Sequence, residues 1–437
     1  MSNGLHRRQA KNLVIRNAHV VDPFHKINEV LELYIKNGKV QKWGKKVEAP
    51  ADADVFDAKG LYLFPGFIDL QVHFRDPGFE NKETIESGVQ EAIAGGFAGC
   101  VTMPNTKPAC DNEQVVKYQI DRGALSDFNI FPAGALTQGI GGQKIAEISE
   151  MKIAGAVAVT DGSSWLQDSG VARRAYEYAT TYDLVVMSQA EDNRLSAAGV
   201  MNESVVSTRL GLRGRPGAAE DIAIARDLEL ARLTGCRLHL MSVSTKRAVE
   251  YIREAKQEGI AVTAQATPHH LMMTEDDFVT YDTNFKMSPP LRSVEDQKAI
   301  LEGLKDGTID VIGSDHSPHA AEEKDMDVEV APDGVVGLTS YFGAVMTALY
   351  HGQKIPLTEI VRKMSLRPSE IIGKNKFGRL GEGELANFVL ADLNHEWIFE
   401  KKHIFSKSKN SCFLGRKFKG KVFHNFVNGY HYDLLRV

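Results

Sequence analysis

Cysteine is scarce. Cys100, Cys110, Cys236 and Cys412 are the only four in 437 residues, and no two share a CxxC spacing. That excludes a zinc knuckle and a dithiol redox motif, and free thiols suit a reducing cytoplasm, the expected location. No stretch approaches eighteen uninterrupted apolar residues, which removes a helical membrane span. Residues 1–11 are polar and basic with no apolar run behind them, so no secretory signal is expected. No block of basic residues stands out either. Lys+Arg 52 against Asp+Glu 57 leaves a net charge of -5, which argues against nucleic acid as the main partner. What remains is ordinary globular material, 43% apolar and 25% charged. It is long enough to bury a core without disulfides or a structural metal.

Two textures alternate along the chain. Residues 13–21, 31–35 and 39–43 are rich in β-branched and aromatic side chains, and Asn37-Gly38 is a strong hairpin turn between the last two. The same texture returns at 387–391 and 422–427, with Asn428-Gly429 as another turn. Both ends therefore contribute to one small β domain. Between them, near-continuous apolar runs at 67–73, 99–103, 130–133, 156–160, 184–187, 237–241, 261–264 and 310–313 alternate with amphipathic helices. Runs of this kind suit a parallel sheet covered on both faces. Eight such units predict an α/β fold, a TIM-like (β/α)8 barrel over 65–375, with a β-sandwich built from 1–64 and 376–437. A doubly wound open sheet competes, but no GxGxxG follows the early strands.

In a barrel the chemistry sits where the strands end. The first run closes on Gln71 and His73, which alternation places on one face. The fourth closes on Asp161, the fifth on Gln189, the sixth on Ser242 and the eighth on Asp315 to His319. Convergent Asp and His suit metal-assisted hydrolysis, in which an ion acidifies a water and an Asp takes its proton. Three other features carry less. Adjacent His269 and His270 point to opposite faces of a strand and would not chelate together. Gly139-Ile-Gly-Gly142 lacks the Lys-Ser/Thr of a phosphate loop. The acidic run 322–329 has no EF-hand spacing and reads as a solvated loop beside the site.

Pro65-Gly-Phe-Ile-Asp-Leu-Gln-Val-His-Phe-Arg-Asp-Pro-Gly78, Met103-Pro-Asn-Thr106, Lys286-Met-Ser-Pro-Pro-Leu-Arg292 and Asp315-His-Ser-Pro-His319 resemble dihydroorotase. That family of the amidohydrolase superfamily interconverts carbamoyl aspartate and dihydroorotate in pyrimidine synthesis. The likeness runs through Gly337-Leu338 to Ser411-Cys-Phe-Leu-Gly415. It implies the same barrel and terminal β domain.

The departures carry the functional argument. Where active members have His-x-His on strand one, this chain has Gln71 and His73. Gln189 and Ser242 replace two further histidines. Asp161 matches the metal-bridging carboxylate and Asp315 the metal-bound general base. The resemblance therefore implies a vestigial ligand set of His73, Asp161 and Asp315, with the Gln71 carbonyl as a weak fourth donor. Zinc or a similar divalent ion is expected to bind weakly, at one position at most, or not at all. Arg75, Asn105 and His319 match residues that hold the substrate carboxylate. Ser288 stands where the family has Asn, Thr339 where it commonly has Glu, and Gln265 where Glu is usual. Two readings follow from the resemblance. One is a non-catalytic chain assembling with aspartate carbamoyltransferase, as some bacterial relatives do. The other is an active dihydroorotase using one metal. Dihydroorotate or carbamoyl aspartate is the expected ligand, and assembly with further copies of the chain is expected.

Overall fold

The computed structural model describes residues 5–278 and 280–435. The first four residues of the basic N-terminal stretch, and the last two of the C-terminal segment assigned above, lie outside the described residues. Each of the eight expected runs forms a strand: β1 Phe67–Val72, β2 Phe97–Thr102, β3 Asn129–Gly134, β4 Ala158–Val159, β5 Val185–Ser188, β6 Leu238–Leu240, β7 Val262–Ala266 and β8 Val311–Ile312. They pair in that order, each parallel to the next. A parallel bridge between Val72 and His316 brings the last strand back to the first. The ring is a (β/α)8 barrel.

The strands are apolar almost throughout because both faces are covered. Helices pack outside, and Ile68, Leu70, Val101, Phe131, Val185 and Met187 belong to a separate cluster drawn from strands around the ring. The helices begin where side chains can satisfy free N–H groups. Thr84 accepts from the Ser87 amide while Ser87 serves the Thr84 amide, starting the helix Ile85–Gly95. Ser293 and Asp296 do the same for Val294–Asp306. Between β5 and the helix Gly217–Thr234 lies an insertion whose two short strands, Met201–Asn202 and Gly214–Arg215, pair in parallel. No helix among the described residues is long and apolar enough to cross a membrane.

The two ends of the chain form one nine-stranded sheet. Its order is Arg7–Gln9, Tyr430–Asp433, Lys417–Val427, Phe388–Ile398, Tyr62–Pro65, Asn12–Asp22, Ile27–Lys36 and Lys39–Gly44, with Asp54–Asp57 also pairing with Asn12–Asp22. Both Asn-Gly turns are present, left-handed at each residue: Asn37 (φ 52) and Gly38 (φ 75), Asn428 (φ 50) and Gly429 (φ 82). They meet tip to tip, so a Cβ on Gly429 would lie 2.5 Å from the Gly38 Cα. Asn425 Nδ2 ties the sheet to the barrel, donating to the carbonyls of Ile93 and Phe97 at 2.9 and 3.0 Å. Phe67 stacks on Phe342 beside it, with ring centroids 5.7 Å apart.

Candidate functional site

A cavity of about 410 Å³ opens at the carboxyl ends of the barrel strands. His73, Arg75, Asn105, Gln189, Ser288, Asp315 and His319 line it, so seven of the residues singled out from sequence converge there. Gln71 and Ser242 are fully buried, and their side chains bond directly to each other. Three residues at these strand ends, Arg75 (φ 62), Ser242 (φ 51) and Asp315 (φ 50), have left-handed backbones. Such conformations cost energy for residues with a Cβ and cluster where side chains must be aimed.

The centre of the arrangement is the Gln71 carboxamide. Its nitrogen donates to Asp315 Oδ1 at 3.0 Å and to Gln189 Oε1 at 3.2 Å. Its oxygen accepts from Ser242 Oγ at 2.8 Å and from Gln265 Nε2 at 2.7 Å. All four hydrogen-bonding positions of the amide are thus used, linking residues at or just beyond the ends of β1, β5, β6, β7 and β8. The Gln71 oxygen, expected as a weak metal donor, has no lone pair left. Gln189 donates onward to the Ser288 carbonyl at 2.7 Å. Gly313 is needed beside this network, because a Cβ there would come within 2.4 Å of the Gln265 carboxamide.

Asp161 is held apart from the amide. Its two oxygens accept from the Thr137 amide at 2.9 Å and the Thr137 hydroxyl at 2.5 Å. His73 donates through Nδ1 to Asn105 Oδ1 at 2.8 Å, which leaves Nε2 as the acceptor, 3.8 Å from Asp315 Oδ1. Burial governs the protonation here. It drives His73 well below the ordinary histidine range. Burial, helped by the nearby Asp69 carboxylate, drives Asp315 well above the ordinary carboxylate range. Burial also raises Asp161.

Arg75 sits beside His319 in the cavity. Its Nε donates to the Pro318 carbonyl at 3.3 Å, and its Nη2 lies 3.4 Å from His319 Nε2. Burial lowers the guanidinium to about 10, which leaves it charged at neutral pH. His319 donates through Nε2 to the Asp333 carbonyl at 2.8 Å and is pulled down to about 2, by burial and then by Arg75.

The structure adds residues that the sequence did not single out. Arg215, Glu191 and Asp333 also line the cavity. Arg215 comes from the β5 insertion, Glu191 follows β5, and Asp333 follows β8. Arg215 Nη2 pairs with Asp333 Oδ2 at 2.5 Å, and its Nη1 is 3.8 Å from Glu191 Oε2. No strand-end rule would have found Arg215. Thr137 lies just beyond β3, where polar side chains at strand ends point to the site. The histidine pair requires a correction. His269 and His270 lie on a short helix, Pro268–Met272, so strand alternation does not apply. Their rings are 4.6 Å apart, but His270 is bonded to Thr267 Oγ1 at 2.7 Å and the Pro290 carbonyl at 3.1 Å.

The same architecture occurs in L-hydantoinase (dihydropyrimidinase) from Arthrobacter aurescens, at a TM-score of 0.85 and 25% identity over 96% of this chain and 95% of that one. Barrel, strand-end site and terminal sheet together define an amidohydrolase-type protein. Residues 60–248 match the family model described as dihydro-orotase-like. A dihydroorotase of Geotalea daltonii is 43% identical over 96% of this chain and 98% of its own. That of Acetivibrio thermocellus is 41% identical over 95% and 98%. This chain belongs to the dihydroorotase family.

Proposed function

We propose that this protein is a dihydroorotase-like component of pyrimidine biosynthesis that binds a carboxylate ligand without turning it over. In this reading it serves as a structural subunit with aspartate carbamoyltransferase in the cytoplasm. The observation that carries the proposal is the saturated Gln71 amide. At the metal position that Asp161, Gln189 and Ser242 would share, Gln189 and Ser242 offer an amide and a hydroxyl in place of imidazoles, both already bonded within the protein. Such groups are poor donors to a zinc-like ion. The one charged donor, Asp161, has both oxygens on Thr137. The residues present do not fit a two-ion centre. Without an ion to acidify it, a water keeps a pKa about eight units too high for attack at neutral pH. Arg75, with Asn105 and His319, still offers a receptor for a carboxylate, since a guanidinium fork pairs with it at two points.

A second reading keeps some support. His73, Asp161 and Asp315 are retained, and the acceptor nitrogen of His73 faces Asp315 across 3.8 Å. One weakly held divalent ion between such groups would make an active dihydroorotase. Steady-state hydrolysis of dihydroorotate with added zinc, with metal content measured on the same sample, separates the two. The expected result is no rate above buffer and no retained metal. A metal-dependent rate that collapses in Asp315→Asn would establish the second reading. Mixing with aspartate carbamoyltransferase and gel filtration should give a co-eluting complex, and separate elution would refute the subunit role.

A further inference from the structure

Asn410 lies outside the barrel strands and the terminal sheet, on the stretch that joins Phe388–Ile398 to Lys417–Val427. It is buried, and its side chain is spent on the segments that follow β8. Its Oδ1 accepts from the His319 amide at 3.1 Å, and its Nδ2 donates to the carbonyls of Ser317 and Gly334 at 3.3 and 3.0 Å. Its own carbonyl accepts from the Val336 amide at 2.8 Å. Pro318 is thus gripped from both sides. The Pro318 carbonyl is also the acceptor for Arg75 Nε, and Arg75 Nη2 meets the His319 ring. One buried amide therefore fixes the backbone that carries His319 and the carbonyl that aims Arg75.

The stretch carrying Asn410 has an anchor of its own. The Ser406 amide donates to Glu91 Oε2 at 2.9 Å and the Lys407 amide to Glu83 Oε1 at 3.1 Å, while the Ser406 hydroxyl reaches the other Glu83 oxygen. Ser408 Oγ donates to the Lys82 carbonyl at 2.7 Å. Glu83 and Glu91 are buried, the first just ahead of the helix Ile85–Gly95 and the second within it. Asn410 thus bridges the helix after β1 and the segments after β8, across the seam where the ring closes. There is little slack at this junction. A Cβ on Gly334 would lie 2.6 Å from the Ser317 Cβ.

We propose that Asn410 is a positioning residue for the cavity. Acting through residues 317–319 and 334, it sets the direction in which Arg75 and His319 face a ligand, so the C-terminal segment helps to build the site. The effect on ligand rests on the reading that the cavity receives a carboxylate at Arg75; the grip on the segments after β8 does not. Removing the amide strands two carbonyls and one N–H. The guanidinium fork must be oriented to pair with a carboxylate at two points, and a site held more loosely than about 0.5 Å loses that match.

Two measurements on the full chain test this. Calorimetry with dihydroorotate should show binding weakened about tenfold or more in Asn410→Ala. Hydrogen–deuterium exchange should quicken over 316–320 in the same variant. Asn425→Ala is the control, because it removes two buried bonds between sheet and barrel away from the cavity. It should lower the urea midpoint yet keep the parent's affinity and its exchange over 316–320. Should Asn410→Ala fail to fold, Asn410→Asp keeps the volume and the acceptor, loses both donors, and should give the same two changes. Unchanged exchange over 316–320 in a folded Asn410 variant overturns the grip. Faster exchange with unchanged affinity overturns the positioning role and leaves the carboxylate reading standing. An equal loss of affinity in Asn425→Ala makes the effect one of general stability and overturns it as well. No binding by the parent removes the carboxylate reading, and the positioning role with it.

Discussion

Replacing Gln71 with alanine removes an amide that makes four hydrogen bonds while fully buried. Its partners cannot satisfy one another, since each already points at the lost group. At about 1 kcal/mol net per bond, the loss comes to about 4 kcal/mol. Unfolding entropy of about 2 cal/mol/K per residue, over this chain, turns that into a fall in Tm of about 4 °C. Gln71→Met sharpens the experiment. It preserves volume, so water cannot enter to repair the partners, and the loss should equal or exceed that of alanine. Urea unfolding followed by circular dichroism and tryptophan fluorescence gives the comparison. If both variants stay within about 1 kcal/mol of the parent, the amide does not hold the strand ends together.

Three further outcomes follow from particular residues. Restoring histidine at three positions together, Gln71→His, Gln189→His and Ser242→His, should recover zinc binding measurable by equilibrium dialysis; failure would mean these are not the lost ligand positions. Gly429→Ala should cost about 3 kcal/mol, from a left-handed backbone and overlap with Gly38, and an unchanged urea midpoint would refute the tip-to-tip packing. His239 and His270 are lowered by burial to about 4, so the unfolded chain takes up protons more readily than the folded one. The stability they contribute is complete above about pH 6.5 and lost as pH falls toward 4, by on the order of 3 kcal/mol each. Urea midpoints should therefore drop across that window, less steeply in His239→Gln, and a flat profile would contradict the assignment.

The barrel was legible because a strand buried on both faces has to be apolar along its length, and each of the eight runs became one. The two Asn-Gly turns were equally plain, since left-handed pairs favour those residues. The strand-end rule brought Gln71, His73, Asp161, Gln189, Ser242 and Asp315 forward. What it could not supply was their bonding. Gln71 meets Gln265 and Asp315 across 194 and 244 residues of chain, and nothing local encodes such a partnership. Arg215 and Asp333, 118 residues apart, were invisible for the same reason. His269 and His270 were misread because Pro268 starts a helix immediately after β7, where alternation no longer holds.

The nine-stranded sheet has a consequence for the order of assembly. Tyr62–Pro65 takes Phe388–Ile398 as its neighbour, and Arg7–Gln9 takes Tyr430–Asp433. During synthesis the early strands leave the ribosome long before these partners exist, while the barrel units between them can pair with neighbours as they appear. The sheet is thus the last element to close, and long-range pairing of this kind is slow. Until it closes, the Tyr62–Pro65 edge is open to pairing with another nascent chain. For this protein, the hazard of misassembly lies in its terminal segments rather than in its barrel.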